Sequence, residues 1–216
     1  MRSFRHWTPR YILNRLHLFL IEKRHPDWPW LTAASIQILS SWLRPTDIGF
    51  EWGSGRSTLW FARRIRKLIS VEHDPKWYNK ISHVLREDNI TNVEYYLMEC
   101  DEQVEDPVHS PYVKIVDNFA DFSFDFVLVD GILRAHCTLA ALPKIRPGGI
   151  LIIDNANRYF PSNSVSPGSR KPTEGPASEE WAIVAKRLED WRCIWTTNGV
   201  TDTALYLKPC DPARNL

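Results

Sequence analysis

The sequence lacks the features that mark zinc-binding, disulfide-bonded, membrane-spanning and polyanion-binding proteins. Its four cysteines are scattered with no CxxC pair, which argues against a zinc site or disulfide framework and fits reduced thiols in a cytoplasm. No apolar run approaches the roughly 20 residues that a helix needs to span a bilayer. The formal net charge of +1 gives no global field for nucleic acid. We therefore expect a cytoplasmic protein with a small-molecule substrate and no nucleic-acid or membrane partner, while the oligomeric state, including a homodimer, stays open.

The chain pattern predicts one α/β domain. From residue 46 onward, short apolar β-branched runs alternate with helical patterns, which is typical of βαβ units. Seven strands are predicted, at residues 48–53, 68–73, 93–99, 124–131, 149–155, 193–199 and 203–209. Four helices are predicted between them, at 57–66, 76–86, 134–145 and 179–191. The last two strands are joined by too few residues for a crossover, so they form a hairpin. The predicted fold is a Rossmann-like, doubly wound sheet of five parallel strands plus a C-terminal antiparallel hairpin.

Two segments stand outside this alternation. Residues 1–45 form a helical prefix, predicted to act as an N-terminal cap on a domain at 46–210. One amphipathic helix in it is expected to direct four side chains toward one side: Tyr11, Leu13, Leu16 and Leu20. Residues 157–178 form a loop rich in proline, serine and glycine that leaves the sheet edge where α/β proteins bind ligands. A lid-like loop is favoured there over a floppy insertion.

The stretch "GFEWGSGRSTLWFA", residues 49–62, places a glycine turn between a strand and a helix. Thr58 stands where a dinucleotide-binding GxGxxG turn has its third glycine, and no lysine follows Gly55 in P-loop register. What remains is an acid, Glu51, before Gly53 and Gly55. An acid repels phosphate but suits a ligand with an ammonium and a sulfonium, such as S-adenosylmethionine. Glu72, 21 positions later, closes the next strand, where a carboxylate can accept both ribose hydroxyls.

Taken together, "EWGSGRST", the acid of "VEHD", "FDFVLVDG", "IRPGGILIIDN" and the terminal hairpin resemble class I S-adenosylmethionine-dependent methyltransferases over about residues 46–209. The resemblance implies a set of residues around the methionine part and the ribose of the cofactor: Glu51, Gly53, Ser54, Gly55 and Glu72. It places Asp101 at the adenine amino group, although Asp101 also fits a solvated loop acid. His73 lines the adenine pocket or caps the next helix. Asp130 is expected beside the cofactor as well.

The ends of the fourth and fifth strands are expected to face the transferred group. They carry Asp130, Asp154 and Asn155, whose oxygens suit Mg²⁺ and resemble the site of catechol O-methyltransferase and its metal-dependent relatives. Those relatives have a catalytic lysine shortly after the first aspartate, whereas "VDGILRAH" offers Arg134 and His136. Because arginine stays protonated, the general base is His136, Asp130 or no residue at all. Alternatively, the acids are ordinary strand-end architecture without metal, and Arg134 anchors a substrate anion or simply begins a helix.

The sequence thus predicts a methyltransferase that acts on a small molecule, with a hydroxyl as the preferred acceptor. N-methylation is one alternative. Because the lysine is missing, a non-catalytic partner subunit that only binds the cofactor is another. Four aromatic residues form either a wall over the substrate or part of the core: Trp28, Trp30, Tyr159 and Phe160.

Overall fold

Seven strands form one mixed sheet at the centre of residues 8–210, the part of the chain that the computed structural model describes. They are β1 (Ile48–Trp52), β2 (Lys67–Glu72), β3 (Val93–Leu97), β4 (Phe124–Val129), β5 (Ile145–Asp154), β6 (Arg192–Thr197) and β7 (Asp202–Leu207). Their order across the sheet is β3-β2-β1-β4-β5-β7-β6. Strands β1 to β5 pair in parallel, whereas β7 runs antiparallel to both β5 and β6. The prediction of five parallel strands followed by an antiparallel hairpin is confirmed.

Helices connect the strands as the sequence pattern indicates. They are α1 (Pro9–Arg24), α2 (Ala33–Trp42), α3 (Arg56–Ala62), α4 (Pro75–Glu87), α5 (Pro111–Lys114), α6 (Arg134–Ala141) and α7 (Glu179–Arg187). Helix α4 begins at Pro75, one residue before its predicted start, because the Asp74 carboxylate caps it by accepting a hydrogen bond from Trp77 N at 2.8 Å. Helices α6 and α7 each end four residues before their predicted limits, and the four-residue α5 has no counterpart in the prediction.

Both faces of the sheet are buried. Along β4, Val127 and Val129 belong to one core cluster, while Phe126 and Leu128 belong to the other. This two-sided burial explains why the strand reads as a continuous apolar run rather than an alternating one. The carboxyl ends of β1 to β5 share one edge of this sheet, where side chains that follow the strands are not covered by the helices on its two faces.

The N-terminal prefix is helical, but its first helix differs from the prediction. Leu13, Leu16 and Leu20 of α1 point to solvent with exposures of 66%, 56% and 63%. Tyr11 lies on the half-buried side of the helix instead of with them. The predicted single side was therefore wrong: positions 13, 16 and 20 follow helical spacing, and position 11 does not join them. The first seven residues of the proposed 1–45 cap lie outside the described residues, and both domain boundaries stay a prediction.

Hydrogen bonds hold the loop at 157–178 against the rest of the protein. The Ser166 hydroxyl donates to the Asp202 carboxylate at 2.6 Å, and the Asn157 amide donates to the Ser169 hydroxyl at 3.0 Å. Arg170 Nε donates to the Gly175 carbonyl at 2.7 Å. These bonds tie the loop to the β6–β7 hairpin and to itself, unlike the floppy insertion that was the alternative. Its lid-like role remains a prediction.

Candidate active site

The glycine turn after β1 brings two strand ends into close contact. Gly53 adopts φ +90°, and a Cβ at this position would lie 2.7 Å from the backbone of Asp130. Only glycine permits this conformation and this approach without strain. The turn therefore places Ser54 and Gly55, at the start of α3, next to the residue that follows β4.

Glu51 is fully buried beneath the turn. The hydroxyls of Thr58 and Ser70 both donate to its Oε1, the latter at 2.7 Å, while Oε2 has no partner among the described residues. Burial raises the pKa of Glu51 to about 7, against the effect of these hydrogen bonds. Thr58, which breaks the dinucleotide fingerprint, thus supports the acid from α3. A buried carboxylate oxygen without a partner is suited to a cationic ligand.

Glu72 ends β2 as a second, strongly ionised carboxylate. Its Oε1 accepts the backbone N–H groups of His73 and Asp74 at 2.8 and 3.0 Å. Its Oε2 accepts Ser54 N at 3.1 Å and Ser54 Oγ at 2.7 Å. Burial acts to raise the pKa of Glu72, but the hydrogen bonds outweigh burial and lower the pKa to about 2. A ribose hydroxyl that binds Glu72 has to replace the Ser54 hydroxyl.

Two aromatic residues that the sequence analysis missed hold Ser54 in place. Trp77 Nε1 donates to the Ser54 carbonyl at 2.7 Å, and the hydroxyls of Tyr95 and Ser54 lie 2.6 Å apart. The exposed Trp30 stacks on Trp77 with ring centroids 6.4 Å apart. Trp30, Ser54, Gly55 and Asp130 line one small pocket at the turn.

His73 and Asp101 lie on the adenine side of the predicted site. His73 Nδ1 is 2.9 Å from Glu72 Oε1, off the line of a good hydrogen bond, and its ring packs edge-on against Tyr112. The contact with Glu72 raises the pKa of His73. Asp74, not His73, caps α4. Asp101 is exposed and its carboxylate accepts Gln103 N at 2.9 Å within its own loop, so the structure gives it no contact with the other site residues.

Arg134 draws together the ends of β4 and β5. Its NH2 lies 2.9 Å from Asp130 Oδ1, and its Nε donates to the Gly131 carbonyl at 2.8 Å. Its NH1 donates to the Asp154 carbonyl at 2.8 Å and lies 3.4 Å from Asn155 Oδ1. Burial raises the pKa of Asp130, and the positive charge of Arg134 opposes this. The guanidinium is therefore a fixed cation at the junction of the two strands.

The comparison with known proteins agrees with this geometry. Residues 50–156 match the profile of a family described as Methyltransferase domain, a span that contains the glycine turn, Glu72, Asp130 and Asp154. The chain is a class I S-adenosylmethionine-dependent methyltransferase. No curated protein matches its sequence.

Solved structures share the fold of the methyltransferase. A candidate caffeoyl-CoA O-methyltransferase from Staphylococcus aureus aligns with a TM-score of 0.61 at 13% identity, over 91% of this chain and 99% of that one. A methyltransferase-like protein from Silicibacter pomeroyi aligns with a TM-score of 0.56 at 20% identity, over 87% and 93%. A candidate methyltransferase from Streptococcus mutans, in complex with S-adenosylhomocysteine, has a TM-score of 0.54 at 15% identity, over 81% and 96%. At such identities these matches establish the fold alone.

The residues of the methyltransferase do not fit the predicted Mg²⁺ site. Asp130, Asp154 and Asn155 do lie together at the strand ends, but Arg134 brings a positive charge among them through the Asp130 carboxylate, the Asp154 backbone carbonyl and Asn155 Oδ1. The Asp154 carboxylate accepts the Thr203 hydroxyl at 3.0 Å, and burial together with the nearby Asp130 raises its pKa to about 7. Across residues 8–210, no group of three or more histidines, cysteines or acids is placed to hold a metal. Of the side-chain oxygens that were expected to bind Mg²⁺, Asp130 Oδ1 and Asn155 Oδ1 face the Arg134 guanidinium, while the Asp154 carboxylate is bonded to Thr203.

His136 lies on α6, two residues after Arg134. It lines a groove of about 450 Å³ together with Arg134, and the far wall of the groove is formed by Arg158, Tyr159 and Trp181. Tyr159 stacks flat on Trp181 at 4.4 Å and lies 5.8 Å from the Arg134 guanidinium. Of the predicted aromatic wall, Tyr159 and Trp30 therefore border the site.

The other two residues of that wall pack against the core. Phe160 is buried in the core, edge-on to Trp181. Trp28 stacks on His25 at 4.0 Å and packs against the second core cluster. The core-packing alternative describes Phe160, whereas Trp28 is only partly buried and also lines a cavity of about 220 Å³ beside Trp30.

Proposed function

We propose that this methyltransferase transfers the methyl group of S-adenosylmethionine to a hydroxyl of a small molecule, without a metal. The observation that carries the proposal is the position of Asp130. Asp130 lines the small pocket at the glycine turn, and its ion-pair partner Arg134 lines the larger groove. An acid placed between the residues of the two cavities in this way is suited to meet both the methyl donor and an acceptor.

The cofactor fits the residues at the turn. The partnerless oxygen of Glu51 suits the ammonium group, the bare backbone at Gly53 permits close approach, and Glu72 suits the ribose hydroxyls. When bound, S-adenosylmethionine supplies an electrophilic methyl group on a sulfonium. The chain's own task is to orient the acceptor and to receive its proton.

Asp130 is the residue that we assign as proton acceptor. In transfer to a hydroxyl, the acceptor oxygen forms the new bond to carbon and the sulfur keeps the electron pair of the broken bond. The hydroxyl proton passes to the Asp130 carboxylate. Arg134 fixes the position of this carboxylate through the 2.9 Å contact. His136, which lines the groove, is the alternative base.

The size of the cavities favours a small acceptor. A chamber of about 220 Å³ lies between the N-terminal prefix and the β6–β7 turn, lined in part by Trp30, Arg158 and Thr201. With the 450 Å³ groove beside Arg134, this space suits a molecule of modest size. All four cysteines are free thiols in the structure, which supports a cytoplasmic location as part of the proposal.

Methyl transfer from labelled S-adenosylmethionine to panels of phenols, sugars and amines tests the proposal. We expect product with a hydroxyl acceptor, and we expect Asp130→Asn to lower kcat by about 100-fold or more while S-adenosylhomocysteine still binds. Asp121→Asn, at an exposed acid paired with Lys144, is the matched control. Product with amines alone would indicate N-methylation, and product with RNA alone, with a steep dependence on salt, would contradict a small-molecule acceptor. A larger loss in His136→Ala would make His136 the base.

A further inference from the structure

Helix α1 is apolar on two opposite sides. Its inner side, which includes Leu18 and Ile21, is half-buried and lines the chamber near Trp28 and Leu31. Its outer side carries five large apolar side chains with exposures from 43% to 66%: Ile12, Leu13, Leu16, Phe19 and Leu20. At helical spacing these five positions form one continuous stripe. No residue of α1 is fully buried.

The inner contacts fix which side of α1 faces outward. Asn14 packs on the β6–β7 turn so tightly that a Cβ at Gly199 would lie 1.9 Å from Asn14 Nδ2. Gly199 also has φ +74°, a conformation that favours glycine. Because this contact holds the helix by its inner side, the outer stripe cannot turn inward without breaking it. Five large apolar side chains exposed side by side on one helix indicate a surface that another molecule covers.

Charge around the stripe identifies the chemistry of that partner. Arg10 and Arg24 border the stripe on one side by helical position, and Lys23 Nζ lies 4.7 Å over the Phe19 ring. Residues 1–24 contain six lysines and arginines and a single acid, Glu22, whereas the rest of the chain has 21 basic and 25 acidic residues. The first 24 residues of the sequence, which include α1 and its apolar stripe, thus carry an excess of positive charge, whereas the rest of the chain is slightly acidic.

We propose that the outer face of α1 docks the protein onto an anionic lipid surface. The apolar stripe enters the boundary between headgroups and acyl chains, and the flanking basic side chains reach the lipid phosphates. A second copy of the chain covers the stripe less well, because pairing two such helices brings their positive charges together. The sequence-based expectation of no membrane partner rested on the absence of a spanning segment; in residues 8–210 no helix is long and apolar enough to cross a bilayer. A helix that lies on the surface does not need to cross it.

Sedimentation with lipid vesicles tests this docking surface, without cofactor or acceptor, so its result is independent of the proposed reaction. The full chain is expected to sediment with phosphatidylcholine vesicles that contain phosphatidylserine, to do so poorly with phosphatidylcholine alone, and to be released by salt. Leu16→Gln with Leu20→Gln should weaken the partition coefficient by roughly 100-fold. Arg10→Glu with Arg24→Glu should weaken it by at least about 25-fold.

Ile183→Gln is the matched control, since Ile183 is an equally exposed apolar residue on α7, at 51%. It should leave vesicle binding unchanged, and circular dichroism should show that every variant keeps its helices. Absence of binding to anionic vesicles, or an equal loss in Ile183→Gln, would overturn the proposal. A dimer that the two leucine substitutions dissociate, seen by analytical ultracentrifugation, would also overturn it by showing that a second copy covers the stripe.

Discussion

Glu51→Gln should change stability with opposite sign at low and high pH. The pKa of Glu51 is raised from 4.5 to about 7 by burial, so the folded state binds its proton more tightly than the unfolded state. The contribution of this group to stability is therefore fully favourable below pH 4.5 and is lost as the pH rises toward 7. Integrated over that window, ionisation of Glu51 costs about 3 kcal/mol of folding free energy near pH 8.

Glu51→Gln removes the cost of ionising Glu51 but adds the smaller cost of burying an amide group. The amide oxygen of glutamine can still accept the hydroxyls of Thr58 and Ser70, whereas its NH2 group takes the place of Oε2, which has no partner. An unpaired buried donor costs about 1 kcal/mol or more. We expect a net gain of about 2 kcal/mol near pH 8 and a net loss of about 1 kcal/mol near pH 4.5.

Urea unfolding of the cofactor-free protein at both pH values measures the difference. The cost of burying the glutamine amide is the same at both pH values. It therefore cancels when the effects of Glu51→Gln on the unfolding free energy at the two pH values are subtracted. Glu94→Gln, at an exposed glutamate paired with Lys67, is the control and should shift stability by less than about 0.5 kcal/mol at either pH. If Glu51→Gln changed stability equally at both pH values, the assignment of a raised pKa to Glu51 would be wrong.

Other predictions concern the strand ends. Arg134→Ala should lower the free energy of unfolding by about 2 kcal/mol because it leaves the partly buried Asp130 without its cation, and Arg134→Lys should recover only part of this loss. Urea midpoints that match the wild type would contradict the role of Arg134 in holding the two strand ends together. Gly131→Ala should destabilise the protein, since its Cβ would lie 1.9 Å from the Tyr112 hydroxyl, and adding Tyr112→Phe should restore much of the melting temperature. Turnover should be unaffected by a chelator, because Arg134 brings a positive charge among the residues of the predicted metal site; restoration by Mg²⁺ of activity lost to chelation would refute this.

Local sequence signals were sufficient for the strands and for the hairpin. The apolar run of β4 predicts a buried strand, and the short gap before β7 predicts a hairpin; both predictions are confirmed. The helix limits were less accurate, because α6 ends at Ala141 where Lys144 turns to bond the Phe119 carbonyl and β5 begins at Ile145. That early start of β5 depends on a register shift opposite Phe124–Phe126, which tertiary pairing determines.

The site was only partly accessible from the sequence. The spacing of Glu51, the glycines and Glu72 follows chain order, so it could be read directly. Tyr95 and Trp77, which contact Ser54, lie on β3 and α4, and no local sequence pattern indicates these contacts. Ser70, a polar residue in the middle of a buried strand, was a readable signal that was not used. Arg134 was recognised as unusual at a helix start, but its position between Asp130 and Asn155 required the folded arrangement of two strand ends.

The most direct test of the account is a calorimetric titration of S-adenosylhomocysteine into the wild-type protein and into Glu72→Ala. Glu72 is buried, ionised and placed at the turn beside Ser54, whereas Glu94, on the neighbouring strand, is exposed and serves as the control through Glu94→Ala. The account predicts binding to the wild type and to Glu94→Ala, and a loss of about 2 kcal/mol or more in Glu72→Ala. No heat of binding to the wild type at millimolar ligand, or an affinity unchanged by Glu72→Ala, would contradict it.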